Sequence, residues 1–219
     1  MFLLRHKSSF FSEGRCFVLK QKITREMIVE AGFSVIRESG ESALNVRNIA
    51  ARLGCSTQPV MYWYKSMNEL KADIIARANE FHTAFLTKGG YEDVLVGIGM
   101  NYIRFAAEEK NLFRFLVMSD NSDSGGIADL LAPDAAGELL SPLEWKYGLS
   151  SDQARDVFEA LFSCFHGYAA LIAYNAAKYD PLHFKKQLLH IYRGVIDDIT
   201  SANMTRLPIN GNGNITLTM

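Results

Sequence analysis

Residues 45–66 read NVRNIAARLGCSTQPVMYWYKS, and the spacing within this stretch decides the fold. Two helices that cross steeply through a short turn need three things. A small residue must stand where they touch, a residue tolerant of positive φ must make the turn, and apolar side chains must fill the wedge. Counting Val46 as position 1, Ile49 is apolar at 4, Ala50 is small at 5, Leu53 is apolar at 8 and Gly54 is the turn glycine at 9. Cys55 at 10, Val60 at 15 and Trp63 at 18 complete the wedge. A generic helical hairpin rarely meets all seven conditions. The spacing therefore predicts a helix-turn-helix with helices over 46–53 and 56–64, the first capped by Asn45 and the second by Ser56. With Ser56 as the cap, Pro59 is the third helical residue, where its missing N–H breaks no helix bond.

Such a unit places the N-terminal residues of its second helix against base edges in a DNA major groove, while the flanks touch phosphates. Ser56, Thr57 and Gln58 are the candidate readers: Gln pairs bidentately with adenine, and Thr offers a hydroxyl and a methyl to thymine. Tyr62, Tyr64 and Lys65 are candidate phosphate contacts, as are Thr24, Asn45 and Arg47 at two helix N-termini. Trp63 is expected in the wedge.

The rest of the chain is mostly helical in its apolar period. Thr24 caps a helix running to Ser39, with Ile23 and Ile28 at the positions of a hydrophobic staple and Gly40 as its stop. Further helices are expected over 67–88, 92–109, 111–118, 151–178 and 182–202, with 121–126 a polar connection and 127–150 irregular around Pro133 and Pro142. No strand alternation and no internal repeat stand out. The expected fold is all-α. A DNA-binding domain spans 20–66 and a larger helical domain 67–202, flanked by an arm (1–19) and a mobile tail (203–219).

Composition bounds the function. Hydrophobic residues make up 48% and charged residues 21% of 219 residues, ordinary for a globular protein. No apolar run in the sequence approaches the roughly 20 residues of a membrane helix, so no membrane partner is expected. Cys16, Cys55 and Cys164, odd in number and widely spaced, point to a reducing cytoplasm rather than a disulfide framework. The N-terminal MFLLRHK is broken by Arg5, His6 and Lys7 and reads as an arm or start-site extension, with a minor-groove arm as the alternative. The net charge of −1 divides unevenly: residues 1–66 hold ten Lys/Arg against five Glu, and the remainder thirteen against nineteen Asp/Glu. A polyanion would meet only the first third.

Enzyme chemistry finds little support. Ser163, Cys164 and His166 lie on one helix without an orienting acid, and His183 and His190 lack further ligands, so neither a catalytic group nor a metal or cofactor is expected. No Gly-rich phosphate loop is present. The rival to a DNA reader is a dimeric helical interaction protein with no small-molecule effector.

The segments Gly40, NVRNIAARLGCS (45–56), VMYWY (60–64) and SMNEL (66–70) resemble the TetR family of bacterial transcriptional repressors over about residues 23–85. Phe-His-Gly-Tyr-Ala at 165–169 is also similar to a His-Gly step of the family's C-terminal domains. Asn45 stands for the usual Thr, Met61 for the usual Tyr, and Met67 for a Lys that touches phosphate. The resemblance implies a homodimer on a palindromic double-stranded DNA operator, built from helices 151–178 and 182–202. Val157, Leu161, Phe165, Tyr168, Ala169 and Ile172 would form its interface. It further implies a largely apolar small-molecule effector in the C-terminal body, where Phe81, Phe85, Tyr102, Phe105, Phe113, Met118, Phe162 and His166 are the candidate lining.

Overall fold

The computed structural model describes residues 22–117 and 133–201, and among these every regular element is a helix. The elements are α1 (Arg25–Ser39), a 3-10 turn at Glu41–Ala43, α2 (Val46–Arg52), α3 (Gln58–Trp63), α4 (Met67–Leu86), α5 (Val94–Glu108), α6 (Lys110–Val117), α7 (Pro133–Tyr147), α8 (Ser151–Ala173) and α9 (Pro181–Thr200). The expected all-α class holds.

The first three helices and the start of α4 enclose a small core. Ile28 and Ile36 of α1, Ile49 of α2, Val60 of α3, and Leu70 and Ile74 of α4 are all buried. Thr24 caps α1 as expected, its hydroxyl accepting the Met27 N–H at 3.3 Å. Ser66 opens α4, accepting the Glu69 N–H at 3.2 Å. The body is centred on α5, which packs against α4, α6, α8 and α9. At Gly99 the helices approach so closely that a Cβ would sit 2.9 Å from Cδ1 of Phe165. Asn101, buried in the same helix, gives its amide N–H groups to the carbonyls of Leu86 and Lys88, each at 2.8 Å, and closes the end of α4.

Three expectations change. Residues 133–147 form α7 rather than an irregular stretch; Pro142 lies inside it, and Leu140 and Leu143 are buried. The two prolines masked the period that these leucines carry. Helix α8 ends at Ala173, not Lys178, because Asn175 takes a φ of 60° and the N–H groups of Ala176 and Ala177 turn back onto the Leu171 carbonyl. Asparagine tolerates the left-handed region that such a stop needs. Finally, α8 is by length and composition apolar enough to cross a membrane. Here its apolar face, from Ala154 to Ala173, is buried among the protein's own helices.

Candidate nucleic-acid interface

The junction of α2 and α3 is a Schellman turn. Gly54 adopts φ 63°, its N–H reaches the Ala51 carbonyl at 3.1 Å, and the Cys55 N–H reaches Ala50 at 3.0 Å. Nothing lies within 4 Å of a Cβ at Gly54, so the glycine serves the backbone conformation and not a close contact. Asn45 caps α2, its Oδ1 accepting the Asn48 N–H at 2.9 Å while Nδ2 donates to the Ala43 carbonyl at 3.2 Å. The start of α3 differs from expectation. Thr57, not Ser56, is the N-cap; it makes no side-chain cap bond, and Pro59 falls at the second helical position rather than the third. Proline remains in the first turn, where no N–H is required.

Helix α3 divides cleanly into two faces. Gln58, Met61 and Tyr62, spaced i, i+3 and i+4, are exposed, as is Lys65 beyond the helix end. Met61 is 61% and Tyr62 72% accessible. Ser56 is exposed at the turn and Thr57 half-buried. Val60 and Tyr64 face inward. Tyr64 therefore corrects the expectation that its hydroxyl faces phosphate. That hydroxyl donates to Asp73 Oδ2 at 2.6 Å and accepts from Arg25 Nε at 3.1 Å, and the Arg25 guanidinium lies 4.9 Å from the ring centroid. Burial, with the Asp73 carboxylate beside it, pushes the Tyr64 hydroxyl up to about 12. The same hydroxyl and Arg25 hold Asp73 below the usual carboxylate range. Trp63 is also corrected. It is half-exposed, not part of the wedge, because its indole N–H reaches out to the Ile23 carbonyl at 3.1 Å.

Charge pairing removes most of the basic excess of this region. Arg25 pairs with Asp73 and Glu69, Arg37 with Glu109, Arg52 with Glu38, Lys71 with Glu41 and Arg77 with Glu30. Lys22, Arg47 and Lys65 have no carboxylate partner among the described residues and are exposed. Lys65 Nζ leans on the Tyr62 carbonyl at 3.4 Å. These three cations stand before α1, at the first turn of α2 and just past α3. Lys22 was not singled out in the sequence, since composition does not show which cations are neutralised.

In the body, the expected lining residues do gather. Tyr102 touches Phe113, Phe162, Phe165 and His166 with ring centroids 5.2–6.0 Å apart. Phe81 and Phe85 meet Phe105 beside them. Met118 lies outside the described residues. His82, which the apolar pattern of α4 concealed, joins the two groups, 4.7 Å from Phe105 and 5.7 Å from Tyr102. The expected dimer stripe is a further correction. Val157, Leu161, Phe165, Ala169 and Ile172 are buried in the chain's own core, and Tyr168 packs 4.8 Å from Phe184 of α9. A stripe this apolar satisfies α5 and α9 first. The outward side of α8 carries Ser163, Gly167 and Leu171.

No family model matches this chain, and no curated protein matches it. Among solved structures, a transcriptional regulator from Rhodococcus sp. Rha1 aligns over 80% of this chain and 97% of its own, with a TM-score of 0.51 at 17% identity. The likeness is one of fold.

Proposed function

We propose that this chain is a DNA-binding transcriptional regulator of the TetR type, a cytoplasmic homodimeric repressor released from a palindromic operator by a small molecule. One observation carries the reading: α3 presents an exposed polar and apolar stripe at helical spacing, and three exposed cations near it in the head have no acid partner among the described residues. Gln58 and Thr57 are the base readers. Lys22, Arg47, Lys65 and the Tyr62 hydroxyl are the phosphate contacts, while Ser56, Thr24 and Asn45 line the approach. The body, 67–202, takes the effector within the aromatic cluster around Tyr102. Dimerisation uses the outward side of α8 at Gly167 and Leu171 together with the exposed Leu182 of α9.

The test is binding of the purified chain to the DNA upstream of its own gene, followed by fluorescence anisotropy from 50 to 200 mM salt. Two protomers with three phosphate cations each give a log–log slope of about −5, and Arg47→Ala flattens it by about 1 for each protomer. Gln58→Ala relaxes preference at one base pair by about 1–3 kcal/mol and leaves the salt slope in place. Binding that shows neither sequence preference nor salt dependence rejects the reading.

A further inference from the structure

The aromatic cluster of the body is not uniformly apolar. The Tyr102 hydroxyl and Nδ1 of His166 lie 3.0 Å apart in a hydrogen bond. His82 packs edge-on to the same Tyr102 ring, and its Nε2 is enclosed with no hydrogen-bond partner among the described residues. Phe162 and His166 stack with centroids 5.4 Å apart and planes 22° from parallel. Tyr102 and Phe113 are buried, and His82, Phe162 and His166 are half-buried.

The hydrogen-bonding capacity of the wall is defined by elimination. If the Tyr102 hydroxyl donates to His166, its oxygen keeps a lone pair and His166 keeps an Nε2–H. If His166 donates instead, Tyr102 keeps its O–H and His166 a free lone pair. Either tautomer leaves one donor and one acceptor, and His82 Nε2 adds a third polar atom. Burial holds both imidazoles below their ordinary titration range, so they are neutral at pH 7. Arg37 lies over Phe81, Arg104 and Lys88 over Phe85, and Arg114 over Tyr174, and none of them bonds the three polar groups. A buried polar atom without a partner is costly, and a ligand that supplies the partner recovers that cost.

We infer that this wall recognises an uncharged planar aromatic molecule carrying one hydroxyl, its ring lying on Phe162 and His166 and its hydroxyl shared between His82 and the Tyr102–His166 pair. The inference rests on the effector reading above and names the class of effector. A hydroxyl donates and accepts at once, which matches the wall. A carboxylate only accepts and would bring a charge against three polar groups that no cation bonds, and a hydrocarbon leaves His82 Nε2 unsatisfied.

The experiment uses three probes of one ring system, 2-naphthol, naphthalene and 2-naphthoate, titrated calorimetrically into the full chain without DNA. 2-Naphthol is expected to bind at least about tenfold more tightly than either of the others, since a buried polar site rejects partners that leave it unpaired. His82→Phe and Tyr102→Phe, each checked for an unchanged melting profile, should each erase most of that advantage. If one of them fails to fold, the other decides. Equal or tighter binding of naphthoate, an advantage for naphthol that survives both substitutions, or no binding of any probe overturns the inference. A separate arm adds 2-naphthol to the DNA complex. Discrimination among probes with no release of DNA would uphold the wall's chemistry and reject the effector role.

Discussion

At the scale of single residues, the Tyr64 hydroxyl ties the end of α3 to α1 and α4. It sits between a carboxylate and a guanidinium, and Asp73 accepts both its O–H at 2.6 Å and the Arg25 N–H at 2.8 Å. Tyr64→Phe keeps the buried ring but removes that link. A loss of about 1–3 kcal/mol is expected in urea denaturation, because one of the two donors to a partly buried carboxylate disappears. A change within 0.5 kcal/mol would mean that Arg25 alone satisfies Asp73. The body has its own sensitive residue. Desolvation lowers the His82 imidazole from 6.5 to about 4. The unfolded chain therefore binds a proton below pH 6.5 that the folded chain refuses until about pH 4. Stability from this group is complete above pH 6.5 and is lost as pH falls from 6.5 to 4, by at most about 3 kcal/mol and less for its partial access to solvent. Comparing His82→Phe with the parent chain isolates this term from Tyr102, His166 and the carboxylates. The parent should lose more stability than the variant between pH 7 and 4.5, and parallel pH profiles would refute the assignment.

At the scale of elements, the α2–α3 turn is set by backbone conformation alone. Gly54 at φ 63° has no neighbour within 4 Å of a Cβ position. Gly54→Asn should therefore cost little, while Gly54→Val should cost about 1–2 kcal/mol through the left-handed backbone, with no steric term. Equal losses in thermal melts would show that crowding matters there after all. This element was legible in the sequence because small residue, glycine and apolar positions occur at fixed offsets within one short segment. The same held for Thr24 and Asn45, whose capping depends on residues three positions on. What was not legible depended on distant partners. Tyr64 and Trp63 are both large aromatics at the end of α3, and only Asp73 on α4 and the Ile23 carbonyl before α1 decide which turns inward. The apolar stripe of α8 declared a buried face without declaring what buries it, and the chain's own α5 and α9 claim it. Pro142 hid α7 because a proline inside a helix is read as a stop when the packing that tolerates it is not seen. His82 sat unremarked between Phe81 and Thr83 on a helix whose period was read from hydrophobic residues alone.

At the scale of the whole molecule, α4 belongs to both halves. Its first turns carry Glu69, Leu70, Asp73 and Ile74 to the small core and its polar latch, and nine residues past Asp73, about 14 Å along the axis, His82 enters the aromatic cluster. Arg37 and Glu109 add a second tie between the end of α1 and the α5–α6 junction, and Asn111 donates to the Arg37 carbonyl at 3.1 Å. A hybrid chain tests this partition. Residues 22–78 fused to the body of a different all-α protein should melt cooperatively and, on the proposed function, retain the DNA preference of the parent head. Residues 22–66 in the same fusion should lose both, since Tyr64 and Arg25 would face a foreign α4 without Asp73. Equal behaviour of the two fusions would show that the latch is dispensable. The consequence reaches beyond engineering. If heads of this kind are exchanged between regulators by recombination, the tolerated seam runs through the middle of a continuous helix and not through the loop that precedes it, so compatibility between a new head and an old body is decided by the helical phase at which the two halves of α4 are joined.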